Sequence, residues 1–318
     1  SMGFEGEVKI GATEDGDIKA ADIRFLFDSG AYTDYAVNIS RAAAVSCTGP
    51  YGISNVKADS LCVYTNHPYA TAFRGFGHIE QGFAIERALD LLAKKIDMDP
   101  AELRIKNAIR KGDTTPTDSP MDKSTGDLPQ CIKNVKDMLN WDEGQKIEIE
   151  DNKIRAKGIG SLWKTPIIPP NTRSSIVVMF NEDGSVNVTS GITEIGSGSK
   201  TGLAQLIAER LSIDPSKVNI VYEVDTDTTP YDWETAASRS LFMGGKAALK
   251  AVDSAIKEIK KVASEPLRCS ADDLKVSDGR VYIETEPEEG YELSEVVKGY
   301  MYPDGESIGG QVIGSGSY

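Results

Sequence analysis

The chain has 318 residues, enough for two domains that each bury their own core. Hydrophobic residues make up 40% and charged residues 26%, an ordinary balance for a folded globular protein. The net charge of −14 argues against nucleic acid and anionic membranes as partners, because both need a basic surface.

Taken in order, Glu7–Ala12 and Ile18–Phe27 read as two strands, with Glu14-Asp15-Gly16 as the hairpin turn. Residues 36–48 are small and apolar and are expected as a helix that carries Arg41. Cys62–Thr65 is a short strand leading into the loop 66–77. Ile79 to about Ile96 is a helix: Ile85, Leu89, Leu92 and Ile96 share one face. Asp99-Pro100-Ala101-Glu102 is a capping box, with Asp99 capping and Glu102 reaching back, before a helix to about Ile109. A polar loop, 112–128, precedes another helix at roughly 129–140. The charged stretch 141–156 lacks a buried face, so the domain boundary is placed there, giving domains 1–150 and 151–318.

The second domain opens on Gly158–Trp163 and a proline-rich bend, Pro166–Pro170. Ser175–Phe180 and Ser185–Thr189 form a hairpin around Glu182-Asp183-Gly184. A glycine-rich loop, 194–201, leads into a helix with Leu203, Ile207 and Leu211 on one face. A strand follows at 217–224, then an acidic loop, a helix at about 243–263, and a hairpin at 276–283. No apolar run approaches a membrane span, and Ser1–Glu7 is no signal peptide. Cys47, Cys62, Cys131 and Cys269 lie far apart without a Cys-x-x-Cys pair, so free thiols and a cytoplasmic location are expected. With only His67 and His78, a histidine-rich metal site is excluded, and no metal ligand is assigned.

Three loops carry ligand-type chemistry, each just before a helix. The first is Phe73-Arg74-Gly75-Phe76-Gly77: a guanidinium and free N–H groups at a helix N-terminus suit an anion, and glycine lets backbone approach a flat ligand. The bland alternative makes Phe73 and Phe76 core residues and Arg74 the cap of a carbonyl. The second is Gly196-Ser197-Gly198-Ser199-Lys200-Thr201. It is not a phosphate-binding P-loop, which needs glycine directly before the lysine, where Ser199 stands. Its hydroxyls, lysine and helix-end N–H groups still suit an anion, against the alternative of a plain N-cap. The third is Thr235-Ala236-Ala237-Ser238, with Arg239 following.

In family order, these loops resemble the Phe-Arg-Gly-Phe-Gly, Glu-x-Gly-Gln-Gly and Thr-Ala-Ala-Ser loops of the molybdenum hydroxylases, the xanthine dehydrogenase and aldehyde oxidase family. The likeness covers nearly the whole chain. It implies an α+β fold of two mixed molybdopterin-binding domains, with Phe73–Gly77, Gly196–Thr201 and Thr235–Ser238 lining the molybdopterin cofactor. It also implies hydroxylation of an aldehyde or N-heterocycle carbon with water, and FAD and [2Fe-2S] on partner subunits. The remainder of the large subunit would be a further partner. The sequence departs from the family at Ser197, where the family has glutamine. The family's upstream Gly-Gly-Gly-Phe-Gly-Gly loop and downstream general-base glutamate have no match here, so no catalytic residue is assigned and the chain is expected to be incomplete as a catalyst. Gly75 replaces the copper-binding cysteine of the carbon monoxide dehydrogenases. Phe76 matches one of two substrate-flanking phenylalanines, and the other falls near Pro169 or Pro170. Arg41 is a candidate substrate binder. The competing reading is a non-catalytic scaffold that keeps the fold without metal.

Overall fold

The hairpin expected at the start forms in the structure, a computed structural model that describes residues 2–150, 152–164 and 171–318. β1 (Gly3–Ala12) and β2 (Ile18–Gly30) pair antiparallel, with Val8 opposite Ile23. Alternate residues of β2 point inward, so Ile23, Phe25 and Phe27 form the core face. The Phe4 ring leans on Phe25 and Phe27, at centroid distances of 5.4 and 5.0 Å. β3 (Asn55–Tyr64) lies parallel to β2, a pairing that needs a crossover, and α1 (Ala36–Val45) supplies it. β3 is much longer than the expected Cys62–Thr65. It is an edge strand with mostly exposed side chains, so its sequence lacks an apolar alternation.

α2 (His78–Lys95) buries Ile85, Leu89 and Ala93, with Leu92 and Ile96 partly buried beside the same core. α3 (Pro100–Asn107) starts on Asp99, whose carboxylate accepts from the Ala101 and Glu102 N–H groups. Glu102 does not reach back as a capping box requires. Its carboxylate pairs with Lys136 of α4 (Leu128–Met138). Arg104 is fully buried and ties α3 to α2: its Nε donates to Glu86 at 2.7 Å and its Nη2 to Asp90 at 2.9 Å. Tyr51 donates to the other Glu86 oxygen at 2.5 Å. Removing one partner from such a buried set costs about 3–5 kcal/mol. The stretch 141–156 does have a buried residue. Trp141 packs on Ala101 and Ile132 and donates to Asp99, and the hairpin β4 (Lys146–Glu150) and β5 (Lys153–Ala156) follows.

Contacts divide the chain into two units, Ser1–Thr165 and Pro166–Tyr318. The expected bend Pro166–Pro170 lies outside the described residues. In the second unit β6 (Ser175–Phe180) and β7 (Val186–Ser190) form the expected hairpin. α5 (Ser199–Leu211) and β8 (Val218–Ile220) follow, with β8 parallel to β7. β8 stops at Ile220, short of the expected 224, and the next two carbonyls, of Val221 and Tyr222, accept from a lysine side chain. α6 (Arg239–Leu267) comes next, then β9 (Leu274–Ser277), β10 (Arg280–Ile283) and β11 (Glu286–Glu292). The chain continues through α7 (Leu293–Val296), β12 (Tyr300–Met301), β13 (Ser307–Ile308) and β14 (Ile313–Ser317). The main sheet runs β14-β6-β7-β8, and a small one β11-β10-β9. Helices and largely antiparallel sheets together make the fold α+β. Among the described residues no helix is long and apolar enough to cross a membrane.

α6 begins four residues before the expected 243. Gly244 and Gly245, which lower helix propensity in its first turns, are packing requirements. A β-carbon at Gly244 would come within 2.3 Å of Ile192, and one at Gly245 within 2.8 Å of Leu206. The same closeness recurs where β14 crosses α6. A β-carbon at Gly314 would sit 2.1 Å from the Ala251 carbonyl oxygen, and one at Gly316 2.2 Å from that of Ala247. Ala247, Ala248, Ala251 and Ala255 keep the helix face flat against the sheet. Gly314→Ala should therefore lower stability by about 1–3 kcal/mol, since the obstacle is backbone and cannot rotate away. Gly310→Ala, facing open space, should stay within about 0.5 kcal/mol. Urea unfolding of both variants reads the contrast, and equal losses would reject the seam.

Candidate functional site

The loop Phe73–Gly77 folds as two tight turns, with Phe76 N–H donating to Phe73 O and His78 N–H to Gly75 O. Both glycines are needed. Gly75 has φ 119°, and a β-carbon there would meet Ile79 at 2.6 Å. Gly77 has φ 85°, and a β-carbon would meet the Ile39 carbonyl oxygen at 2.5 Å. Gly77 is the N-cap of α2, and no side chain caps it. Phe76 is left-handed at φ 52° and packs edge-on against Tyr35, at the margin of the core. Phe73 is 67% exposed, so the reading that places both rings in the core holds for Phe76 alone. Arg74 is exposed, and among the described residues nothing pairs with its guanidinium.

Sequence reasoning missed what locks this loop. His78, the first residue of α2, is buried and directs Nδ1 at the Gly75 carbonyl at 3.0 Å. A carbonyl only accepts, so Nδ1 carries the proton. Burial first, and then the Lys164 charge, push this imidazole below its usual pKa, so it stays neutral near pH 7. One turn on, Gln81 is fully buried and donates Nε2 to Cys47 O, leaving its Oε1 without a partner among the described residues. A histidine and glutamine on the core side of a helix start were the available signal.

In the second unit, Gly196 and Gly198 have φ 91° and 73°, and a β-carbon on either would meet nothing within 4 Å. The backbone here faces open space. The helix end behind it is already filled by the protein's own carboxylate. Glu194 Oε1 accepts from Gly198 N–H at 3.0 Å and from the Ser197 hydroxyl at 3.2 Å, and Oε2 accepts from Lys200 N–H at 3.2 Å. The Lys200 N–H, followed by the Gly198 and Ser197 donors, lowers the Glu194 pKa to about 2. Ser197 also meets Ser199, which is buried, at 2.9 Å, while Thr201 is exposed. Lys200 is the larger correction. Its side chain is buried, with Nζ donating to Val221 O and Tyr222 O at 3.2 and 2.6 Å over the Tyr222 ring. Buried and bound to two carbonyls just past β8, it is turned away from any anion at the loop.

The third loop is joined to the second. The Thr235 hydroxyl donates to Thr193 O at 2.7 Å. Ala236 precedes two left-handed residues, Ala237 at φ 48° and Ser238 at φ 61°, and Ser238 is an N-cap without a side-chain cap bond. Arg239, read from sequence as a possible ligand contact, is turned wholly inward, 2% exposed, against Asp232 and Ser174. Its Nε and the buried Ser240 hydroxyl have no partner among the described residues. A recess of about 700 Å³ on the outer face of β1–β3, lined by Lys9, Asp22 and Lys57, includes none of the candidate residues.

Two sequence models of the molybdopterin cofactor-binding domain match the chain, at residues 2–108 and 134–318. The chain belongs to the molybdenum hydroxylase large-subunit family. It is 30% identical over 295 residues to the xanthine dehydrogenase molybdenum-binding subunit of Escherichia coli O157:H7, across 90% of this chain and 38% of that one. It is also 30% identical over 264 residues to the aldehyde oxidoreductase of Megalodesulfovibrio gigas, across 81% of this chain and 29% of that one. The chain thus spans well under half the length of the relatives it matches. The crystal structure of quinoline 2-oxidoreductase from Pseudomonas putida 86 superposes with a TM-score of 0.74 at 21% identity, over 99% of this chain and 42% of that one, a likeness of fold.

The residues of this molybdenum hydroxylase segment fit a molybdopterin. Such a ligand is large, anionic and rich in donors and acceptors. The first unit presents an exposed guanidinium, unpaired among the described residues, and the uncapped start of α2, and the second presents an open glycine backbone and the uncapped start of α6. Gln81 Oε1, Arg239 Nε and Ser240 Oγ are buried polar atoms in the first turns of those helices that lack partners among the described residues. The α5 loop contributes shape and backbone rather than positive charge.

The Glu194 cap sets a pH signature. Its folded pKa, about 2, lies below its ordinary 4.5, so its contribution to stability is complete above the ordinary value. That contribution disappears as pH falls through the folded value. Glu194→Gln should be less stable than the wild type at pH 7, and the gap should close on acidification. Carboxyl NMR titration checks the cause directly, and a Glu194 that titrates at its ordinary value would reject the cap.

Proposed function

We propose that this chain holds the molybdopterin of an enzyme that hydroxylates an aldehyde or N-heterocycle carbon, taking the oxygen from water. The observation that carries this reading is the union of two loops in the second unit. The Thr235–Thr193 bond joins the 235–238 loop to the 194–198 loop, where Gly196 and Gly198 present open backbone. A bound molybdenum cofactor supplies the redox and oxygen-transfer chemistry, which no side chain of this loop set can perform.

The chain's own residues bind and orient. Arg74 offers a charge to the anionic part of the cofactor, with the exposed Phe73 ring beside it in sequence as an apolar face. The uncapped N–H groups at the starts of α2 and α6 act as neutral donors. Gly196, Ser197 and Gly198 allow close backbone approach, while Ser199, Lys200 and Thr201 hold the loop from the helix side. Lys200 does this through the two carbonyls it binds. The relatives are described as a molybdenum-binding subunit and, in Hydrogenophaga pseudoflava, as a carbon monoxide dehydrogenase large chain, which supports partner polypeptides. We assign those partners as iron–sulfur and FAD subunits together with the remainder of the large subunit, in the cytoplasm, where the four free cysteines stay reduced.

The test is a molybdenum and pterin assay on the purified complex that contains this chain. The wild type should carry close to one of each per chain and turn over an aldehyde or N-heterocycle. Arg74→Ala should lower cofactor retention while shifting stability by less than about 0.5 kcal/mol, because the side chain is exposed and unpaired. A wild-type complex without molybdenum or pterin would reject the proposal.

A further inference from the structure

Among the largest fully buried side chains is a cation, Arg239, at the first position of α6. Its guanidinium has two working ends. Nη1 donates to Asp232 Oδ2 at 3.0 Å and to Glu234 O at 2.8 Å. Nη2 donates to Arg173 O and to Ser174 Oγ, both at 3.0 Å. Ser174 in turn donates to the second Asp232 oxygen, so arginine, aspartate and serine close a ring. The Trp233 ring lies 5.6 Å from the guanidinium carbon.

These bonds have a topological meaning. Glu234 lies just before the loop Thr235–Ser238 and Arg239 just after it, so the Nη1 bond fastens one end of the loop to the other. The Nη2 bonds then anchor that closed loop to residues 173–174, which lead into β6. Backbone bonds back this up: Trp233 N–H reaches Arg173 O, and Ser175 N–H reaches Tyr231 O. Inside the closure, Ala237 and Ser238 hold left-handed conformations that residues with a β-carbon keep only where their surroundings over-determine them. Through its hydroxyl, Thr235 passes the same restraint to Thr193, next to Glu194. Across from it, the backbone at Pro230 and Asp232 approaches Gly191 so closely that a β-carbon there would lie 2.5 Å from the Pro230 oxygen.

We infer that Arg239 is the positioning residue of both ligand loops of the second unit. It is a clasp that fixes Glu234–Ser238 and, through Thr235, the turn Glu194–Gly198. The assignment of a ligand to these loops rests on the function proposed above, whereas the clasp itself rests on the bonds just described. Lysine cannot replace it. A single ammonium is one point charge and cannot serve Asp232 and Glu234 on one side together with Arg173 and Ser174 on the other.

Hydrogen–deuterium exchange on the purified chain tests the clasp. In Arg239→Lys, amides of residues 193–201 and 232–241 should exchange at least about tenfold faster, equivalent to about 1.4 kcal/mol of easier local opening. Amides in the middle of β6, β7 and α6 should keep their wild-type rates. Ser174→Ala, which removes one partner and leaves the arginine, should speed the same segments to a smaller degree, and it decides the question if Arg239→Lys does not fold. Unchanged loop exchange in the variants, or faster exchange spread through the whole unit, overturns the clasp. A second arm measures pterin bound per chain in the complex. Arg239→Lys should lose pterin, and retention at the wild-type level with loosened loops overturns the positioning role. If the wild-type complex binds no pterin, the proposed function fails while the exchange arm still decides the clasp.

Discussion

Among the described residues three α-helices start on residues with positive φ, and the candidate ligand loops are consequences of that constraint. Gly77, Gly198 and Ser238 are the N-caps of α2, α5 and α6, and each is left-handed. An ordinary extended N-cap places its own side-chain oxygen over the first turn, as Asp99 does for α3. A left-handed cap makes no such bond here, so the helix N–H groups are handed to something else. For α5 that is Glu194, from four residues upstream, and for α2 and α6 no side chain takes the role. Glycine adopts such a start without steric cost, whereas Ser238 has to be held there by its surroundings. At Gly77 the close approach of Ile39 requires glycine, and at Ser238 the buried arginine holds the turn.

This bears on how a protein with a net charge of −14 handles its cations. Lys200 and Arg239 lie beside the candidate loops in sequence, and both point into the fold. Their charges are spent on backbone carbonyls and on one buried carboxylate. Arg74 alone among these three is exposed. The uncapped N–H groups at the starts of α2 and α6 are donors that no protonation removes.

What the sequence disclosed follows from where information is local. The first hairpin, the β6–β7 hairpin and the Asp99 cap are written in neighbouring residues, and they stand as expected. The three loops were legible because glycine and hydroxyl residues cluster before helices. The direction of side chains was not. Whether a lysine at a helix start faces solvent depends on where the carbonyls of Val221 and Tyr222 end up, some twenty residues further on. Nor was the reason for Gly244 and Gly245, which the expected helix already contained. Ile192 and Leu206, distant in sequence, leave room for no side chain there. β3 hid because an exposed edge strand needs no alternation, and its parallel partner lies across a helix.

The strand order β14-β6-β7-β8 also dictates a timetable. β14 leaves the ribosome more than 130 residues after β6, yet it pairs with it, and its glycines seat it against α6. Beyond it, Tyr318 exchanges two backbone bonds with Ser174, the residue that also holds the Arg239 guanidinium. The hairpin β6–β7 can form early, but its outer edge and the alanine face of α6 stay uncovered until β14 arrives. Closing so long a stretch of chain is slow compared with the local pairing in the first hairpin. Newly made chains should therefore pass through a period in which the first unit is folded and the second exposes a sticky sheet edge. During that interval a chaperone has the most to protect.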